Sequence, residues 1–243
     1  VANPGYIWNI KDVMKRAEAG EKLTIGFIGG SITQGSLSST PQKCYAYLVY
    51  EWWVRTFPQA EFKYVNAGIG GTTSQFGVAR AQDDLLDTEP DFVIAEFSVN
   101  DESTGHFEET YEGLVRKILS SKSHPALMLV HNVCYNNGAS AELVHSRIAR
   151  HYNIPSVSMQ STLYKALLNC RFDNRRITPD DLHPNDCGHE LVSMVITKRL
   201  EQIKNTVKAE YETAKSQRAA AKPDAGAAAL LPEPLTANAY EDS

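Results

Sequence analysis

Residues 23–36 read LTIGFIGGSITQGS. Apolar residues climb to two glycines and then break at a serine, the pattern of a buried strand running into a turn. Ser31 is then either a nucleophile at the carboxyl end of a strand or a small polar residue capping the next helix, a position serine favours. The rest of the chain decides between the two.

Working outward, apolar residues at helical spacing mark residues 8–19, with Gly20 just beyond the end. Strands are expected at 62–66, 91–97, 126–131 and 154–159, helices at 43–57, 74–88, 107–121, 139–152 and 183–207. Strands alternate with helices, and several strands are apolar on both faces, as happens when helices cover both sides of a sheet. This predicts an α/β protein, a three-layer αβα sandwich with a mostly parallel central sheet. In such sheets functional groups gather at the carboxyl ends of the strands. Residues 1–215 make up the predicted domain. Residues 216–243 are rich in Ala and Pro without core-forming periodicity and read as a linker, tail or surface strap.

Composition bounds the function. The 243 residues carry a formal net charge of -5, and no apolar stretch approaches the ~20 residues that span a bilayer. A weakly acidic chain argues against nucleic acid or anionic membrane as partner. The N-terminus VANPGYIWNIKD shows no signal peptide, which points to the cytoplasm, although a processed secreted chain would read the same. Cys44, Cys134, Cys170 and Cys187 form no C-x-x-C pair or zinc spacing, so scattered buried thiols, no metal and no cofactor are expected.

Four polar or glycine-rich segments follow strands or precede the last helix: GGSITQG, NAGIGGTT, SVND and DDLHPND. No Lys stands beside Gly29, Gly30 or Gly35, which argues against a phosphate-binding P-loop. After Gly68 and Gly70, Thr73 occupies the place of the third glycine in a dinucleotide fingerprint. A G-x-S-x-G elbow fails at Thr33. What remains is a serine at a strand-to-helix turn and a histidine near the C-terminus. A serine hydroxyl needs a base within reach and a third group to orient that base. Asp180 and His183 supply both: the D-x-x-H spacing lets Asp180 fold back onto Nδ1–H while Nε2 faces the serine. Asp181 competes for the acid's role, and the spacing favours Asp180. Oxyanion donors are available from the Ser31 N–H, from Gly70 or Gly71, and from the Asn100 amide.

These four ordered blocks resemble the SGNH (GDSL-like) hydrolase superfamily over most of residues 23–200. The resemblance implies an αβα, flavodoxin-like fold and a Ser–His–Asp esterase: Ser31 as nucleophile, Asp180 and His183 completing the triad, and Ser31, Gly71 and Asn100 as oxyanion donors. Gly71 rather than Gly70 follows from the block's usual spacing, five residues after Asn66. Two positions depart from the common pattern: Gly30 stands where Asp often precedes the serine, and Ser98 where Gly often opens the G-x-N-D block. Both variants resemble the branch of carbohydrate O-acetylesterases that act on mannan and xylan. The implied activity is deacetylation of plant cell-wall oligosaccharides or polysaccharides, mannan-type favoured, through an acetyl-serine. The alternatives are a lipid or thioester hydrolase on the same scaffold and a non-catalytic carbohydrate-binding protein. The tail then leads to a carbohydrate-binding module or ends as a frayed terminus.

Other residues read as supporting cast. Asp101 holds its loop rather than touching substrate. His124, His131, His145, His151 and His189 are surface or structural, and His106 borders the pocket. Trp52 and Trp53 sit in an amphipathic run and belong at least in part to the core, whereas Trp8 and Tyr45 are freer to reach a cleft.

Overall fold

A computed structural model describes residues 2–206 and 231–237. Five strands, β1 (Lys22–Gly29), β2 (Glu61–Gly68), β3 (Phe92–Glu96), β4 (Ala126–His131) and β5 (Ser156–Ser158), form one sheet in the order β2-β1-β3-β4-β5. Every pairing is parallel. Asn3 adds an antiparallel bridge to Ser156 on the outer edge of β5.

The helices are α1 (Trp8–Glu18), α2 (Ser31–Gln34), α3 (Tyr45–Thr56), α4 (Ser74–Asp84), α5 (Gly105–Ser120), α6 (Glu142–His151), α7 (Lys165–Leu168) and α8 (Asp186–Lys204). α1, α3 and α8 bury their apolar stripes against one face of the sheet. α4, α5 and α6 cover the other. β3 and β4 are buried along their whole length, which explains their near-continuous apolar sequence. The predicted three-layer sandwich with a parallel sheet is therefore observed. The short α7 and the turns around it, residues 160–176, had no sequence signature of their own, because no long apolar period runs through them.

Two expectations fail. Tyr45 does not reach a cleft. It opens α3, is fully buried, hydrogen-bonds Thr33 Oγ1 through its hydroxyl at 2.8 Å and stacks on His189. The loop before it is polar, but the helix that it begins faces the sheet. The thiols are not uniformly buried either. Cys44 is buried and Cys134 partly so, while Cys170, in a turn with φ +52°, and Cys187, on the outer side of the first turn of α8, are exposed. All four are free. Trp53 is fully buried, and Trp52 packs beside it while donating Nε1–H to Glu201.

The domain boundary expected near residue 215 lies outside the described residues. Residues 231–237 lie along α5 and α6. Arg116 donates to the Pro232 carbonyl at 2.7 Å, and His151 Nε2 bonds the Glu233 carbonyl at 2.7 Å. The Glu112 carboxylate, fully buried, accepts from Tyr152 OH, Leu235 N, Thr236 N and Thr236 Oγ1. Leu235 packs against the core beneath. Burial alone would raise the carboxyl's pKa, but these bonds, from Thr236 and Tyr152 first, bring it below the usual value. Glu112→Ala removes the acceptor for all four donors. It should lower stability by about 2 kcal/mol in a denaturant titration and speed amide exchange at Leu235 and Thr236.

Candidate active site

β1 ends at Gly29, and the chain turns at Gly30 straight into α2, whose first residue is Ser31. Gly29 has no room for a side chain: a Cβ there would lie 2.2 Å from Thr33 Oγ1 and 2.5 Å from the Glu96 carbonyl. Ser31 is nearly buried, at 7% exposure, and its N–H belongs to the first turn of α2, where no carbonyl of the preceding turn accepts it.

His183 comes from the loop before α8. Ser31 Oγ and His183 Nε2 are 2.8 Å apart, and His183 Nδ1 and Asp180 Oδ2 are 2.6 Å apart. Asp180 Oδ1 also accepts the backbone N–H of His183 at 2.7 Å and of Leu182 at 3.1 Å, so the i to i+3 fold-back is itself a hydrogen-bonded turn. Burial raises the Asp180 pKa, but the bonds from the His183 ring and from these two N–H groups outweigh it, and the net effect is a lowered value. With Asp180 as acceptor at Nδ1, the neutral imidazole carries its proton there and leaves Nε2 free to take the serine's proton. Asp181, the competing acid, points elsewhere: it has φ +67° and pairs with Arg175 at 3.1 Å and with Asn174.

Asn100 lies at the turn after β3, where the N–H groups of Asn100 and Asp101 both bond the Phe97 carbonyl. Its side-chain amide rests against Gly30; a Cβ on Gly30 would come within 2.3 Å of Asn100 Oδ1. The small residue at position 30 thus gives the amide its seat. Ser98, the other departure from the common pattern, also has a partner. Its N–H and its hydroxyl both donate to Glu96 Oε1, at 2.9 and 2.8 Å. On the loop after β2, the Gly70 N–H is taken by Gln34 Oε1 at 2.8 Å, while a Cβ on Gly70 would stand 3.7 Å from Ser31 Cβ. Gly71 has φ +71° and open space where a side chain would be.

Four segments of the chain therefore meet on one edge of the sheet, and the Ser31–His183–Asp180 relay is continuous. His106 sits further out, exposed, 3.4 Å from Gln75. His131, His145 and His189 are buried and His124 and His151 exposed, outside the relay. Sequence reasoning missed the buried carboxylate Glu96. A lone Glu at the end of an apolar strand gives no signal until its partner Ser98 is known. No group of His, Cys, Asp or Glu among the described residues is arranged to hold a metal ion.

Residues 27–191 match the model of the GDSL-like lipase/acylhydrolase family. The chain belongs to this family. It is 26% identical over 201 residues, 78% of its own length and 88% of the relative's, to thioesterase 1/protease 1/lysophospholipase L1 of Escherichia coli strain K12. Among solved structures it is 62% identical, with a TM-score of 0.88, to a two-domain esterase active on acetylated mannans, co-crystallised with mannopentaose. That match covers 99% of this chain and 60% of the other, so the family member described here spans about three fifths of the two-domain protein. An acetylxylan esterase from Geobacillus stearothermophilus shares the fold, with a TM-score of 0.63 at 19% identity over 75% of this chain and 95% of that one.

Two outcomes follow from the surroundings of Asn100. Gly30→Ala displaces the amide; under the esterase reading proposed below, kcat in steady-state kinetics should then fall about tenfold or more, towards the 10²–10³-fold that loss of one oxyanion donor costs. Burial pushes the Glu96 carboxyl up to about 7, with the Ser98 bonds opposing only part of the effect. In the unfolded chain a Glu ionises near pH ~4.3. Between these values the unfolded state loses its proton and the folded state keeps it, so this group subtracts stability as pH rises from about 4 to about 7, and no more above that. Glu96→Gln keeps an acceptor for Ser98 and removes the titration. Its melting temperature relative to wild type should rise across that window.

Proposed function

We propose that the chain is a serine esterase that removes O-acetyl groups from plant cell-wall oligosaccharides or polysaccharides, mannan-type favoured, through an acetyl-serine intermediate. The observation that carries this reading is the unbroken relay from Ser31 Oγ through His183 to Asp180, 2.8 and 2.6 Å long. The likeness to an esterase active on acetylated mannans, at 62% identity, supports the substrate class.

Ser31 Oγ attacks the acetyl carbonyl carbon as its proton passes to His183 Nε2. The carbonyl oxygen becomes an oxyanion, bound by the N–H of Ser31, the N–H of Gly71 and the amide of Asn100. Gly71 is preferred to Gly70 because the Gly70 N–H is already engaged by Gln34. Collapse breaks the bond to the sugar oxygen, which takes the proton from His183. Water then attacks the acetyl-serine, giving its proton to His183; a second collapse releases acetate and returns the proton to Ser31. Asp180 keeps the ring oriented and stabilises the imidazolium in both halves. This chemistry needs no metal or organic cofactor.

The partner is the acetylated carbohydrate. A carbohydrate-binding module following this domain is also proposed, supported by the two-domain relative of which this chain spans 60%. Such a module raises the local concentration of polymer at the site or completes its rim.

The likeness to the E. coli thioesterase and lysophospholipase keeps one rival, a lipid or thioester hydrolase. Acetate release from acetylated mannan, xylan and xyloglucan oligosaccharides, followed by NMR of the surviving acetyl groups, tests the substrate. Rates that climb with acyl length on nitrophenyl esters would favour the rival instead. Ser31→Ala and His183→Ala should each lower kcat by several orders of magnitude, because nucleophile and base act as a unit. Asp180→Ala should cost more than Asp181→Ala; the reverse order would exchange the two acids. Asn100→Ala should lower kcat by about 10²–10³-fold with KM little changed.

A further inference from the structure

Asp101 follows Asn100 directly, yet its side chain turns away from the catalytic edge and is buried. Its two carboxylate oxygens have separate partners. Oδ1 accepts the backbone N–H of Ser74 at 2.9 Å. Oδ2 lies 3.0 Å from His145 Nε2, and neither side chain is exposed there.

Ser74 is the first residue of α4, three residues after Gly71. The first N–H groups of a helix need an outside acceptor. Thr73, at the capping position, makes no side-chain cap hydrogen bond. The acceptor comes from a different strand-end loop: Asp101 caps α4. One carboxylate thereby fastens the loop that carries Gly71 to the loop that carries Asn100. Without it the two loops are joined to different strands, β2 and β3, which are not neighbours in the sheet.

His145 fixes the other half. It lies on α6 with its ring stacked on Tyr111 of α5, centroids 3.6 Å apart and planes 12° apart. Its Nδ1 has no hydrogen-bond partner among the described residues. A neutral ring with its proton on Nε2 leaves a lone pair unmatched at Nδ1, whereas the imidazolium would leave a buried N–H without an acceptor, the costlier defect. The ring therefore serves as a neutral donor to Asp101, and burial favours the same form by lowering its pKa.

We infer that Asp101 is a positioning residue for the reaction, a clamp that sets the distance between the Gly71 and Asn100 oxyanion donors, with His145 as its buried anchor. The inference rests on the serine-esterase reading above. Misplacement by about 1 Å costs on the order of 10²-fold in rate, so a clamp between donors acts on kcat.

The test is steady-state kinetics on 4-nitrophenyl acetate, with melting temperatures measured alongside, on the full chain. Asp101→Ala loses both links; kcat should fall by about 10- to 100-fold with KM within about twofold. Asp101→Asn keeps Oδ1 for the Ser74 N–H but cannot satisfy the His145 donor with its other atom. Its melting temperature should fall while kcat stays within about threefold; with Asp101→Ala losing rate as well, kcat then follows the Ser74 link and not the loss of stability, which a purely structural role does not predict. Ser74→Pro deletes the N–H alone from the backbone, at a helix position where proline is accepted and after an extended Thr73 (φ -100°, ψ 174°). Compared with Ser74→Ala, which removes only the hydroxyl bonded to Thr110, it should lose about tenfold or more in kcat. If Asp101→Ala does not fold, the serine pair decides. Ser74→Pro and Ser74→Ala with equal kcat, or Asp101→Ala at the wild-type rate, would overturn the clamp. Ser31→Ala, run in parallel, separates the two claims: activity surviving in it would overturn the esterase reading itself, whereas a silent Ser31→Ala beside a fully active Asp101→Ala removes the clamp alone.

Discussion

The hydrogen bond between Ser31 and His183 joins residues 152 positions apart, and the site exists only while the loop before α8 is pressed against the turn after β1. Neither segment reaches the other by itself. Asp186 accepts from Ser39 N, Ser39 Oγ and Lys43, which ties the start of α8 to the segment after α2. These bonds hold its carboxyl at about 2, well below the usual carboxylate range, with the Lys43 bond the largest cause. His189, one turn further on, bridges the same two segments: Nδ1 accepts from Tyr45 N and Nε2 donates to the Ser36 carbonyl, both at 3.2 Å. That pattern requires a neutral ring, and burial keeps it neutral by pushing its pKa down to about 4. On the other side Asn185 caps α8 through Gly188 N and bonds the Arg176 carbonyl. The small Gly188 is needed there, since a Cβ would stand 2.3 Å from the Ile177 carbonyl.

The fold was legible in the sequence because its signal is long. Alternating apolar strands and amphipathic helices repeat over about two hundred residues, and each element agrees with the next. The four site segments were legible for a different reason. A parallel sheet puts the ends of all its strands on one edge, so glycines, a serine and an asparagine after three separate strands are brought together by topology alone. The contact between Asp180 and His183 was legible from the i to i+3 spacing, because both residues belong to one turn.

What stayed hidden is the polar support. Glu96, His145 and Glu112 each lie within apolar or amphipathic runs, where a lone charged residue reads as an exception to the pattern. Their partners, Ser98, Asp101 and Thr236, are two, forty-four and 124 residues away. Tyr45 misled for the converse reason. The polar loop before it suggested freedom, but its hydroxyl found Thr33 and its ring found His189. A buried polar group declares itself only through a partner, and spacing along the chain does not say which one.

The bridge from Asn3 to Ser156 has a bearing on how the molecule behaves among its own copies. A parallel sheet ends in two strands whose outward N–H and C=O groups can template the strand of another chain. Here β5 is only three residues long, and Asn3 occupies its outer edge through bonds in both directions with Ser156. The Asn3 side chain is itself anchored to the carbonyls of Ala149 and Ile154. At the opposite edge, β2 sets the exposed charges of Glu61 and Lys63 along its first half. One end of the sheet is plugged by Asn3 and the other is guarded by charge, which leaves little purchase for edge-to-edge aggregation while the protein is folded.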